Sequence, residues 1–161
     1  MTDFSKTKSM FDLPDGVTYL DGNSLGPLPK AAIKAVNRTL REEWGQDLIR
    51  AWNTRGWIRK PRELGGRIGR LIGAPAGSIV VGDTLSIKVF QALAAAIKLR
   101  PRRRLILSDD GNFPTDLYMA QGLVDLVDRG YRLQTPAPED VAAAIGEDVA
   151  VVMLTEVDYR T

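Results

Sequence analysis

Two missing residue types narrow the chemistry this chain can carry. It holds no His and no Cys. Without His it lacks the commonest general base and the commonest metal ligand. Without Cys it lacks thiolate nucleophiles, disulfides and Cys-ligated metal. Carboxylates, Lys, Tyr, hydroxyls or a bound cofactor must do any work. Four short constellations offer such groups. Gly82-Asp83-Thr84-Leu85-Ser86 lies between a predicted buried strand and a predicted buried helix. The amides that open that helix, with the Thr84 and Ser86 hydroxyls, make a cup for a phosphate. An ordinary helix cap uses the same residues, and the loop has no Walker A lysine. Asn112-Phe113-Pro114-Thr115-Asp116 follows another predicted strand. Asn112 suits an N-cap and Pro114 a first helical turn. Phe113 falls at the carboxyl end of a parallel strand, where an aromatic can stack on a planar ring, or serve as a hydrophobic staple. Thr155–Thr161 lies beyond the last strand. Asp21-Gly22-Asn23-Ser24-Leu25-Gly26 sets Ser24 between glycines, in a loop that can approach a ligand or simply turn.

The elements that must position these groups come from hydrophobic periodicity. Residues 1–29 are rich in turn signals such as Leu13-Pro14-Asp15-Gly16. Ile33, Val36, Leu40 and Trp44 recur at helical spacing and predict a helix over 30–44, stopped by Gly45. One or two turns over 47–53 carry Trp52. A helix over 59–72 is expected, with Pro61 in its first turn and Leu64, Ile68, Leu71 and Ile72 as its buried stripe. From residue 79 the pattern alternates. Strands are predicted at 79–81, 105–107, 131–133 and 149–154, and helices at 86–99, 114–129 and 138–145. Such alternation implies βαβ crossovers and a parallel sheet. The helix over 86–99 is apolar nearly all round, so it is expected inside a core. The best strand comes last and no helix follows to cover it. A truncated chain, or cover supplied from elsewhere, is the expectation.

The 161 residues allow one domain or slightly more. Lys+Arg number 22 and Asp+Glu 20, a net charge of +2. That balance gives no default toward nucleic acid or a membrane surface. The run Arg100-Pro101-Arg102-Arg103-Arg104 reads as a solvated loop. No stretch reaches the roughly 20 apolar residues of a membrane span. The first residues have no apolar secretory core. A cytoplasmic location is the expectation. The three Trp residues at 44, 52 and 57 hint at a pocket or a subunit interface.

Several segments taken together resemble one family. YLDGNSLGPLP (19–29), EWGQDLIRAWNTRGWI (43–58), VVGDTLSIKVFQAL (80–93), NFPTDLYMAQGL (112–123) and VVMLTEVDYRT (151–161) are similar to kynureninase, along the whole chain and in order. The resemblance implies an α/β fold: a helical segment over 1–75, then over 76–161 the first half of a mostly parallel, aminotransferase-like large domain that binds pyridoxal phosphate. It implies hydrolysis of L-kynurenine, and of its 3-hydroxy form, in tryptophan catabolism, by a cytoplasmic homodimer. Leu85 and Ser86 then take the cofactor phosphate, and Phe113 stacks on the ring. Pro114, Thr115, Asp116 and Thr155 complete the cofactor site, and Ser24 faces the substrate. No catalytic residue and no metal ligand is assigned within the chain. The cofactor lysine is expected beyond Thr161, so the chain alone is expected to be inactive. The segment at 155–159 reads Thr-Glu-Val-Asp-Tyr where the family pattern has Thr-His-Val-Asn-Tyr. A lyase of the cysteine desulfurase kind on the same fold, or a non-catalytic fragment, are the alternatives.

Overall fold

A computed structural model describes residues 3–158 and residue 160. Contacts divide the chain into two units, Met1–Val81 and Gly82–Thr161.

The first unit is mostly helical. Helix α1 (Phe4–Lys8) starts on Asp3, whose carboxylate accepts from the Ser5 amide at 3.0 Å. Two short strands, β1 (Phe11–Asp12) and β2 (Leu28–Pro29), pair antiparallel across the turn-rich stretch. Helix α2 (Lys30–Arg38) follows directly. The single helix expected to Trp44 changes pitch instead. Thr39–Trp44 is a π-helical turn, and helix α3 (Gly45–Asp47) continues through the expected stop. Gly45 has ordinary helical angles, and the break falls at Leu48, held at φ 50°. A 3₁₀ turn at Leu48–Arg50 leads into helix α4 (Ala51–Thr54), which carries Trp52.

Helix α5 (Lys60–Leu71) has Pro61 in its first turn, as expected. Its buried positions are Gly65 and Gly69, whereas Leu64, Ile68, Leu71 and Ile72 are exposed, which corrects the expected stripe. The reason is a close backbone approach. A Cβ on Gly65 would stand 2.1 Å from the Ile79 carbonyl oxygen. The Val81 amide donates to the Pro61 carbonyl at 3.0 Å. Residues 79–81 therefore lie along α5 and form no strand, against the expectation. Their apolar side chains suit either role, and packing against the glycines decided it. Gly65→Ala should lower the stability of this unit by about 1–3 kcal/mol, the usual cost of overpacking, because the obstacle is backbone. Chemical denaturation of the two proteins measures it; equal midpoints would show that the approach is not tight.

The second unit is α/β. Helix α6 (Leu85–Leu99), strand β3 (Leu105–Leu107), helix α7 (Pro114–Val127), strand β4 (Arg132–Gln134) and strand β5 (Val149–Val152) follow in order. The sheet order is β4-β3-β5, and both pairings are parallel. The central strand is enclosed on both sides. Ile106 points to one face, among Leu93, Ile97, Ala120 and Leu123 of the two long helices. Leu105 and Leu107 point to the other, with Val141 and Val149. This is the pleat of a strand covered on both faces, which is why it reads as an unbroken apolar run.

Three expectations change in this unit. Helix α7 ends at Val127, where Asp128 takes a left-handed cap at φ 41°. Only Pro138–Asp140 of the helix expected over 138–145 forms, as a 3₁₀ turn. It delivers Val141 to the core, and turns complete the stretch. Helix α6 is enclosed on one side only: Leu93 and Ile97 are buried, while Leu85, Ile87 and Leu99 are exposed. The basic run has structural tasks. Arg103 donates to the Val149 carbonyl at 2.9 Å, and the Arg104 guanidinium lies 4.9 Å from the Tyr131 ring centre. Among the described residues no helix is long and apolar enough to cross a membrane.

Candidate functional site

The carboxyl ends of the three parallel strands meet a loop, Ser108–Asn112, that leads into α7. In open α/β sheets this is where ligands bind. A cavity of about 490 Å³ opens here. Leu85 and Val89 of α6, Phe113 before α7, and Met153 and Leu154 after β5 form its apolar wall. Asp109, Asn112, Asp116, Thr155 and Asp158 add polar groups.

Buried polar groups tie these elements together. The Ser108 hydroxyl donates to the Met153 carbonyl at 2.7 Å. The Ser108 amide donates to the Gln134 carbonyl at 2.9 Å, and the Met153 amide to the Leu107 carbonyl at 2.8 Å. All three strand ends are thus joined through one serine and its neighbour. Asn112 was expected as the N-cap of α7. Phe113 holds that position, and Asn112 supports it from one residue earlier, accepting from the Phe113 amide at 2.7 Å. The cap moved because Pro114 fixes the first turn one residue further on.

Four of the predicted site residues share the cavity wall: Leu85, Phe113, Asp116 and Thr155. Phe113 is 45% exposed and belongs to neither core cluster. The Thr155 hydroxyl donates to Asn112 Oδ1 at 2.6 Å. Asp116 Oδ1 is buried and has no hydrogen-bond partner among the described residues. Such an atom is costly unless something else satisfies it. Ser86 sits half-buried in the first turn of α6, outside the cavity lining, and Pro114 and Thr115 are exposed beside Phe113. Thr84 is extended as the N-cap of α6, but its side chain makes no capping bond. The amides of the first turn are therefore not occupied by a cap side chain. Ser24 lies in the first unit, in a loop held by the Tyr19 hydroxyl, 2.6 Å from the Leu25 carbonyl.

Two further groups near the cavity come from the predicted constellation Thr155–Thr161. Asp158 lines it, and Arg160 reaches both Asp158 Oδ2 at 3.0 Å and the Gly111 carbonyl at 2.6 Å. Hydrogen bonds from the Arg160 side chain and backbone hold the Asp158 carboxyl below its ordinary pKa. Tyr159 and Thr161, part of the same predicted constellation, lie outside the described residues. The cluster around Trp57 in the first unit is separate. Its indole donates to buried Glu43 at 2.7 Å, and Lys60 reaches the same oxygen at 3.0 Å. Those bonds, Trp57 first, lower the Glu43 pKa. The Trp52 and Trp57 rings meet edge to face, with centres 6.3 Å apart. The sequence shows the tryptophans but gives no signal for Glu43, whose two hydrogen-bond partners are 14 and 17 residues away.

Fold and site together define an α/β unit with a ligand cavity at the carboxyl end of a parallel sheet. The chain is homologous to kynureninases. It is 48% identical over 159 residues to the kynureninase of Pseudomonas fluorescens. The kynureninase of Burkholderia pseudomallei (strain 1106a) is likewise 48% identical, and that of Burkholderia mallei (strain SAVP1) 47%. Each match takes in 96% of this chain and 38% of the relative. The chain thus spans about two fifths of the length of the curated relatives it matches. No family model matches it.

Proposed function

We propose that this chain is the part of a kynureninase that holds pyridoxal phosphate, in an aminotransferase-like fold. The whole enzyme would hydrolyse L-kynurenine or 3-hydroxykynurenine to L-alanine and the anthranilate. One observation carries this reading. Phe113, the unpaired Asp116 oxygen and Leu85 at an uncapped helix start converge on one cavity at the carboxyl end of the sheet. The donor set fits a flat, phosphorylated, polar group. When bound, the cofactor supplies the electron sink for cleaving a carbon–carbon bond.

The chain's own residues have binding and orienting tasks in this account. The Leu85 and Ser86 amides, with the Ser86 hydroxyl, hold phosphate at the positive end of α6. Phe113 packs one face of the ring. Pro114 and Thr115 set the helix start that presents it. Asp116 Oδ1 accepts a hydrogen bond from the bound group, and the Thr155 hydroxyl, aligned by Asn112, stands at the ring's edge. Ser24 serves the substrate side. Among the described residues no lysine lines the cavity, so the covalent anchor comes from elsewhere and this chain alone does not turn over. The wider setting belongs to the same proposal: a helical segment over 1–75 and part of a cofactor domain over 76–161, in a cytoplasmic homodimer of the kynurenine pathway.

Ser86→Ala is the first test. Losing a hydrogen bond to a charged phosphate costs about 1–3 kcal/mol, so pyridoxal phosphate should bind roughly 5- to 150-fold more weakly. Isothermal titration measures it. Unchanged affinity would take the phosphate away from α6.

A further inference from the structure

Asn112 is 5% exposed, and every hydrogen-bonding position of its carboxamide is used within the protein. Nδ2 donates to the Ser108 hydroxyl at 2.9 Å and to the Met153 carbonyl at 3.3 Å. Oδ1 accepts from the Phe113 amide at 2.7 Å and from the Thr155 hydroxyl at 2.6 Å. A side-chain amide offers two donors and two good acceptor directions, and all four are matched. The orientation is fixed by the partners. A flipped amide would set its oxygen against the Met153 carbonyl and its NH₂ against the Phe113 N–H. The four partners come from the end of β3, the segment after β5 and the start of α7. One side chain therefore sets where Phe113 and Thr155 stand relative to the sheet.

We propose that Asn112 is the positioning residue of this cavity: its own hydrogen-bonding groups are used within the protein, and it fixes the backbone that carries the Phe113 ring and the Thr155 hydroxyl, the two groups that meet the ligand. The proposal rests on the cavity being a pyridoxal phosphate site. Neither a hydrophobic residue nor Asp can replace the carboxamide. Asp keeps the acceptor for Phe113 and Thr155, but it loses both donors and turns an anionic oxygen toward the Met153 carbonyl.

The test uses the full chain, with two readouts on Asn112→Ala and Asn112→Asp. Leu93→Ala, a core change in the same unit, controls for lost stability. Titration with pyridoxal phosphate should show binding weakened at least tenfold in both Asn112 variants and within about twofold of wild type in Leu93→Ala. Hydrogen exchange, which needs no cofactor, should be at least tenfold faster at the Phe113 amide in Asn112→Ala, while Asn112→Asp, which keeps that acceptor, should exchange there within about threefold of wild type. If Asn112→Ala does not fold, the cofactor affinity of Asn112→Asp, which loses the two donors, decides. Should wild type fail to bind the cofactor while the Phe113 amide still loosens, the cofactor reading falls and the positioning role stands. An unchanged Phe113 exchange rate in Asn112→Ala, or undiminished binding in either folded Asn112 variant, overturns the proposal.

Discussion

Phe113→Ala should bind pyridoxal phosphate about thirtyfold more weakly than the unaltered chain. Ring-on-ring contact contributes about 0.5–1.5 kcal/mol beyond the area it covers. The apolar area lost from a half-exposed phenyl adds about as much again. Together these approach about 2 kcal/mol, and each 1.4 kcal/mol is tenfold in Kd. The side chain is absent from both core clusters. Its backbone amide, which Asn112 holds, survives the substitution. Folding should therefore change little while binding changes much. Phe113→Tyr keeps the ring and should bind within a few-fold of wild type. Cofactor titration and thermal melting on the three proteins separate the two effects. A large fall in melting temperature with unaltered affinity would make Phe113 a packing residue.

The second large effect is an absence of turnover. The chain mixed with pyridoxal phosphate and L-kynurenine should release no anthranilate above the rate of free cofactor. No lysine among the described residues lines the cavity, and Lys88, on the first turn of α6, is 3.8 Å from Asp83. An amine anchor that also shuttles a proton must sit at the reacting centre. Anthranilate fluorescence is the readout. Product formed by this chain alone would mean that a group within residues 1–161 carries the chemistry.

The parts of the site readable from sequence were those built by neighbours in the chain. Pro114 and the apolar spacing after it marked the start of α7, and the enclosed strand Leu105–Leu107 announced itself by having no polar face. That β3, β4 and β5 run parallel followed from alternation; their order, with β3 central, did not. What stayed hidden was long-range. Asn112 looked like a local cap, but two of its partners, Met153 and Thr155, lie 41 and 43 residues away. Ser108 drew no notice because a serine after a strand is ordinary, and only its bond to Met153 gives it a role. Residues 79–81 misled for a different reason. A short apolar run carries no mark of its partner, and here the partner is the bare backbone of Gly65, not a strand. Asp116 was legible as a candidate and does line the cavity, but an oxygen with no hydrogen-bond partner among the described residues depends on how tightly α7 packs and has no sequence signature.

The most direct measurement is a crystal structure of this chain grown with saturating pyridoxal phosphate. The cavity account predicts the ring against Phe113, the phosphate on the amides of Leu85 and Ser86, and a polar atom of the ligand within hydrogen-bond distance of Asp116 Oδ1. Cofactor seated elsewhere on the chain, or bound in the cavity with its phosphate away from the start of α6, would contradict it.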